Sequence, residues 1–250
     1  MDRKGIVRDS VALVTGASAG LGKALSVELA RRGARVVMVA RDEARLARAA
    51  AEVAAVGGPE PVPLALDVAD KQAIHPLGAI AAELGGRDVD LLFHNASSLG
   101  PVPMPLLFDL DCEELEAVFA TNVVGPFRLT KLVGGSMALC KRGTIVFVSS
   151  DAAVSGYPGW GAYGASKAAA DQLMRVLAAE LAIHGVRVFS VDPTDMDTAM
   201  HAAAIPDADP STLARPEVIA RRIVDMVELP GRAPSGARLV ASEDLAGAVA

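Results

Sequence analysis

Aromatic residues are scarce in this chain: six phenylalanines, two tyrosines and one tryptophan among 250 residues. The core must therefore be built from aliphatic side chains, and a hydrophobic share of 52% supplies enough of them to exclude a disordered chain. Cysteine is scarcer still. Cys112 and Cys140 form no C-x-x-C pair and have no histidine at metal-ligand spacing, which excludes a disulfide scaffold and a cysteine-rich metal site. They read as two buried or half-buried thiols in a reducing cytosol. No run approaches the roughly 18 apolar residues of a membrane span. The opening MDRKGIVRDS lacks the apolar segment of a signal peptide, so a cytoplasmic location without membrane contact is expected. Net charge is −6 and no Lys/Arg block occurs, which argues against a nucleic-acid partner. The scarce aromatics are also concentrated: Tyr157, Trp160 and Tyr163 all fall within GYPGWGAYGASK.

What is present is an alternation of strand and helix patterns. Short apolar runs predict strands at Val11–Thr15, Arg35–Ala40, Val62–Val68, Val89–Asn95, Gly143–Ser150 and Val186–Pro193, with a seventh near Ala237–Ala241. Helical patterns lie at Leu21–Arg32 and Asp42–Val56. A long one runs from near Asp111 to the Gly134-Gly135 region or slightly beyond, and another contains Lys167 and reaches about His184-Gly185. The strand runs are continuously apolar rather than alternating, as strands buried on both faces are. The predicted fold class is α/β: a doubly wound parallel seven-stranded sheet with helices on both faces, in one domain over residues 1–250. A Pro/Asp-rich stretch, Ala202–Pro216, interrupts the alternation, and residues 194–216 are a candidate substrate lobe within that domain.

TGASAGLG follows the first strand and opens the first helix. Gly16, Gly20 and Gly22 at that junction allow a tight turn and the approach of a pyrophosphate to a helix N-terminus. Ser18 and Leu21 complete the predicted cofactor loop. At the end of the second strand, dinucleotide folds carry an acid for the ribose hydroxyls or an arginine for a 2′-phosphate. Here Ala40 stands at the acid's place and Arg41 follows, which points to NADP(H) over NAD(H). Asp42 comes one place too late and reads as a helix cap.

With TGxxxGxG after the first strand and YxxxK at Tyr163–Lys167, the chain resembles the classical short-chain dehydrogenase/reductase family over about residues 8–245. The resemblance implies a Rossmann fold and a catalytic set of Asn122 in TNVVGPF, Ser150 in VFVSSDA, and Tyr163 and Lys167 in YGASK. It also implies adenine contacts at Asp67 and Val68 and cofactor contacts at Asn95 and Ala96, Tyr163 and Lys167. Pro193, Met196 and Thr198 would line the nicotinamide end. Two departures stand out: HNAS replaces the family's NNAG, changing His94 and Ser97, and DPTDMDT carries Thr194 where PGxxxT has glycine. HNASSLGPV, GWGAYGASKAA and DMDTAM are further similar to sepiapterin reductases, although Ala19 stands where that group has a basic residue. A non-catalytic NADP-binding regulator would have lost the tyrosine or the lysine, and both are present. The family forms homotetramers or dimers through its long helix and its Lys-bearing helix, so a homo-oligomer is expected.

The chemistry implied is NADP(H)-dependent reduction of a carbonyl to an alcohol, or the reverse. Hydride goes to carbon, and a side chain must supply a proton to oxygen. Tyr163 is chosen over Tyr157 because Lys167 lies four residues on, one helical turn along the same face. A neighbouring ammonium is expected to lower the phenol's pKa. Ser150 would hydrogen-bond the substrate oxygen, and Asn122 would distort the long helix to feed a proton relay. Tyr157 and Trp160 are left as walls of a small-molecule pocket. Met104, Leu107, Met200 and Ile205 are further apolar candidates for that wall, while His94, His184 and His201 read as structural or surface residues.

Overall fold

The computed structural model describes residues 5–242. The ends of the 1–250 domain, and positions 243–245 of the family resemblance, lie outside them. The strands are β1 Val11–Thr15, β2 Arg35–Ala40, β3 Val62–Ala65, β4 Leu91–His94, β5 Gly143–Val148, β6 Val186–Asp192 and β7 Arg238–Val240. They pair in the order β3-β2-β1-β4-β5-β6-β7, every pair parallel. The helices are α1 Gly20–Arg31, α2 Glu43–Ala54, α3 Lys71–Ile74, α4 Leu77–Gly85, α5 Cys112–Phe119, α6 Gly125–Cys140, α7 Gly161–Leu181, α8 Ala199–Ala204 and α9 Pro216–Glu228.

Both faces of the sheet are covered, which explains the continuous apolar strands. Ala12 and Val14 of β1 join a core with Leu25 and Leu29 of α1, Leu46 of α2 and Ile223 of α9. Val11 and Leu13 face the other way, onto Leu77 of α4, Leu129 and Val133 of α6 and Met174 of α7. Aliphatic side chains dominate both cores, as the aromatic shortage requires. β3 is the half-covered edge, and it tolerates Pro63 there because an outer strand can forgo a ladder bond.

The long helix is not continuous. Between α5 and α6 the backbone makes a π turn over Ala120–Val124, and the Gly125 amide reaches back to the Ala120 carbonyl. This is a wider i→i+5 step that bulges the helix. Gly125 is required where α6 begins, because a Cβ there would meet the Val68 carbonyl oxygen. The cysteines depart from expectation: both are exposed, Cys112 at the start of α5 and Cys140 at the end of α6. Cys140 donates to Asp88 Oδ2 at 3.4 Å, and that bond raises its pKa.

The 194–216 segment leaves the C-terminal end of β6 and returns to α9. Its base is closed by Asp197 N to Ala214 O at 3.0 Å and Ala214 N to Asp195 O at 2.9 Å, with α8 in between. At its start Thr194 sits at φ 64°, a left-handed conformation that a β-branched residue adopts only at a cost. Its amide is pinned to Asp192 Oδ1 at 3.0 Å. Thr194→Gly keeps that bond and relieves the side chain, so it is expected to stabilise the fold by about 0.5–1 kcal/mol, read as a higher urea midpoint. A lower midpoint would show that the threonine side chain contributes more than it strains.

Candidate active site

The strand order reverses between β1 and β4, and in open α/β sheets ligands bind in the crevice beyond the strand C-termini at such a point. The two loops at this crevice are tied together. Thr15 Oγ1 accepts from the amides of Asn95 at 3.0 Å and Ala96 at 3.1 Å, and Asn95 Nδ2 donates to the carbonyls of Thr15 at 3.0 Å and Gly16 at 3.2 Å. Asn95 is thus a brace for the glycine loop. Gly16 is at φ 67°, and a Cβ on it would lie 2.9 Å from Ala96 Cα.

The N-terminus of α1 fits an anionic group. Its N-cap is Ala19, which makes no side-chain cap, and its first turn holds no acid. The leading amides are therefore left to a ligand or solvent, with the helix dipole favouring negative charge. Leu21 contributes only backbone here, since its side chain is buried in the core. Thr198 caps α8 through a bond to the His201 amide at 3.2 Å and turns its methyl toward Gly20, within 3.3 Å of where a Cβ would stand. Met196 packs against the core and Pro193 is buried, so each offers its backbone more than its side chain to the crevice.

A cavity of about 170 Å3 continues from this loop and is lined by Ser18, Arg41, Arg45, Asp67, Val68 and Ser97 among others. Its lining carries the arginine and acid side chains that dinucleotide folds turn toward the adenosine half. Asp42 caps α2 by accepting the Arg45 amide at 2.8 Å, so its role is the cap. Arg41 is largely exposed and its guanidinium lies 3.9 Å from Asp67 Oδ2. Arg45 was not singled out from the sequence. It lies in the first turn of α2 and lines the same cavity as Arg41, which precedes the helix cap.

Tyr163 and Lys167, on the first turns of α7, are both buried. Lys167 Nζ lies 5.4 Å from the Tyr163 ring centroid and donates to the Val148 carbonyl at 2.8 Å. Burial pushes the Tyr163 phenol up to about 12, with Asp192 and Asp151 adding to the shift and hydrogen bonding from Ser150 and Ser97 opposing it. The expected lowering by lysine is absent. Lys167 is itself desolvated, which brings it down to about 8, while Asp171 and Asp192 hold it up. Desolvation of both groups outweighs their attraction.

Asn122 sits in the π turn and is fully engaged. Its Oδ1 accepts from the Ser98 amide at 2.8 Å and the Ser97 hydroxyl at 3.2 Å, and its Nδ2 donates to the Ser98 carbonyl and to Ser166 Oγ, each at 2.9 Å. Ser166 in turn donates to the Tyr163 carbonyl at 2.7 Å. Asn122 therefore ties the loop after β4 to α7. Ser97, one of the two changed positions in HNAS, joins this network directly. His94, the other, is buried and bonded to Thr130 Oγ1 at 2.7 Å, and burial lowers its pKa to about 3, so it stays neutral.

Ser150 follows β5 and donates to Asp151 Oδ1 at 3.0 Å. Asp151 also takes the Tyr157 hydroxyl at 2.9 Å. Tyr157, Trp160 and Tyr163 form an edge-to-face series, with centroids 6.4 Å and then 5.7 Å apart. Of the other apolar candidates, Leu107 packs over Gly161 and the Met104 backbone over Gly159, beside this series. Met200 and Ile205 lie on the 194–216 segment, and both are exposed.

A family model described as short chain dehydrogenase matches residues 10–209. A 3-oxoacyl-[acyl-carrier-protein] reductase of Vibrio cholerae is 36% identical over 220 residues, 88% of this chain and 86% of that one. A short chain dehydrogenase from Shigella flexneri, solved with NADP, superposes with a TM-score of 0.87 at 29% identity, covering 96% of this chain and 99% of that one. One from Escherichia coli, solved with NADPH, gives 0.86 at 30% identity over 96% and 99%. Glycine loop, π turn, tyrosine–lysine helix and strand order thus coincide with a match over most of the length: the chain belongs to the short-chain dehydrogenase family of oxidoreductases.

Proposed function

We propose that this protein is an NADP(H)-dependent reductase that converts a small-molecule ketone or aldehyde to an alcohol, with Tyr163 as the proton donor. The observation that carries this reading is the convergence of Tyr163, Lys167 and Ser150 beyond the C-terminal end of β5. Reduced nicotinamide supplies a hydride to the carbonyl carbon when bound. The chain's own part is to hold the carbonyl and deliver the proton. Ser150 turns its hydroxyl from Asp151 to the carbonyl oxygen, where negative charge develops. Tyr163 gives that oxygen its phenolic proton. A phenol held near 12 is protonated at neutral pH, which suits a proton donor. Lys167, still charged at neutral pH, then faces the phenolate that forms. Asn122 keeps α7 in register with the loop after β4.

NADP(H) preference rests on Ala40, Arg41 and Arg45, and it agrees with the NADP and NADPH found in the two related structures. Tyr157 and Trp160 wall the substrate pocket, and the 194–216 segment covers it. The test is NADPH oxidation against sepiapterin, diketones, quinones, ketosteroids and 3-oxoacyl thioesters. Turnover of a carbonyl compound supports the reading. Turnover confined to sepiapterin would make the chain a pterin reductase, and failure with every carbonyl while NADPH still binds would favour a non-catalytic regulator.

We further propose that two copies or more pack through α6 and α7. Val124, Phe127 and Leu139 on or beside α6, and Val176 on α7, are exposed. Isologous packing would bury these apolar positions on both partners. Sedimentation of a stable monomer at micromolar concentration would remove this part of the proposal.

A further inference from the structure

Behind the Tyr163–Lys167 pair lies an ionic cluster that the proton transfer does not consume. Arg238, on β7, reaches over the ends of β5 and β6. Its Nε donates to Asp171 Oδ2 at 3.1 Å, and its Nη2 donates to Asp192 Oδ2 at 3.0 Å and to the Ser150 carbonyl at 2.7 Å. Asp171 is one helical turn beyond Lys167 on α7 and also takes the Ser149 hydroxyl at 2.7 Å. Asp192 holds the Thr194 amide with its other oxygen. The side chains of Asp171, Asp192 and Arg238 are 3%, 8% and 15% exposed. With Lys167 charged, the cluster comprises two cations and two carboxylates, and its net charge is zero.

We propose that Arg238 is a positioning residue of this site: it anchors the backbone of Ser150 and balances Asp171 and Asp192, so that the ground behind Tyr163 does not become net negative when the phenol gives up its proton. The inference deepens the reductase reading, in which Tyr163 is the donor, but its charge balance can be measured without catalysis. A merely structural ion pair predicts lost stability when any member is removed. Charge balance predicts something else, a sign. Removing the Arg238 charge makes the cluster one unit more negative than in the parent and disfavours the phenolate. Removing the Asp171 charge does the reverse, and removing both restores the parent's net charge. The other groups around Tyr163 are the same in every variant: Asp192 from β6, Asp151 from the segment after β5, and Lys167 on its own helix, which has lost its charge in all of them at the alkaline pH where Tyr163 ionises, so the differences between variants come from Arg238 and Asp171 alone. The π turn contributes only the neutral Asn122, and Glu113, Glu114 and Glu116 of α5 are exposed.

The aromatic shortage makes the measurement direct. In a Tyr157→Phe background Tyr163 is the sole tyrosine, and Trp160, the sole tryptophan, lies 5.7 Å from its ring. Tyrosinate quenches tryptophan emission, so stopped-flow pH jumps report ionisation of Tyr163 before the chain unfolds, with no cofactor or substrate present. The expected order of midpoints is Asp171→Asn lowest, the parent next and Arg238→Gln highest, each step on the order of one pH unit. The Arg238→Gln/Asp171→Asn double variant is expected to return to the parent value. Equal midpoints, or shifts of the two single variants in the same direction, would overturn the proposal. If Arg238→Gln does not fold, the downward shift of Asp171→Asn and its reversal in the double variant still decide it. Activity retained in Tyr163→Phe would defeat the reductase reading and leave this order untouched.

Discussion

Tyr163→Phe is expected to bind NADPH with unchanged affinity and to lose at least about two orders of magnitude in turnover, the scale of one acid–base group. The change is confined to one oxygen. The ring is buried, edge-on to Trp160 at 5.7 Å, and phenylalanine fills the same space. The Asn122–Ser166 bonds that hold α7 end on the Tyr163 backbone carbonyl, which the substitution keeps. A turnover loss with intact folding and cofactor binding therefore assigns the loss to the proton. Tyr157→Phe is the contrast. That hydroxyl is spent on Asp151 at the surface, and a far smaller loss is expected. The pH profile adds a sign. Burial holds Tyr163 near 12 and brings Lys167 to about 8, so the donor stays protonated through neutral pH while the lysine loses its charge in mildly alkaline solution. Reduction is expected to run level through neutrality and decline above about pH 8. A fully active Tyr163→Phe would rule out the assignment.

The elements that position this chemistry were legible where a local pattern determined them. β1 and β2 were delimited to the residue, because an apolar run ended at glycine on one side and at a capping acid on the other. β3 was read too long: Leu66–Val68 are apolar apart from Asp67, yet they already turn toward the cofactor crevice. α4 and α9 were not read as helices. α9 carries usable signals, Pro216 in its first turn and buried Ile219, Ile223, Val224 and Val227 along one face, but the Pro/Asp-rich stretch before it drew the reading toward a lobe. Tyr163, Lys167, Ser150 and the glycines are legible as candidates because each sits in a short motif, and the fold brings Tyr163 and Lys167 together. Arg238 and Asp151 are not legible in this way. Arg238 meets Asp171 across 67 residues and Ser150 across 88, and no periodicity records such a contact. The lysine's effect on the tyrosine was also misjudged, because spacing shows proximity and not how far each group is removed from water.

Arg41→Ala is expected to weaken NADPH binding by about ten- to a hundredfold and to leave NADH binding unchanged. A hydrogen-bonded contact to a charged group contributes roughly 1.5–3 kcal/mol, and each 1.4 kcal/mol is about a factor of ten. The geometry permits that contact without disturbing the fold. Arg41 is 73% exposed, and its one ion pair, to Asp67, is long at 3.9 Å, so little is given up when the guanidinium turns to a 2′-phosphate. Arg45 is held near Asp42 at 3.8 Å on the same rim. Removing both arginines should therefore cost more than either alone, with fluorescence titration of NADPH and NADH as the readout. The selectivity arises from an absence as much as from the two cations. Ala40 stands where a carboxylate would bind ribose hydroxyls and repel a phosphate, and Asp42 is turned into the α2 cap by its bond to the Arg45 amide at 2.8 Å. Ala40→Asp is accordingly expected to depress NADPH binding and raise NADH binding, whereas Arg41→Ala acts on NADPH alone. Parallel loss of both cofactors in Arg41→Ala would mean that the residue supports the loop rather than reads the phosphate.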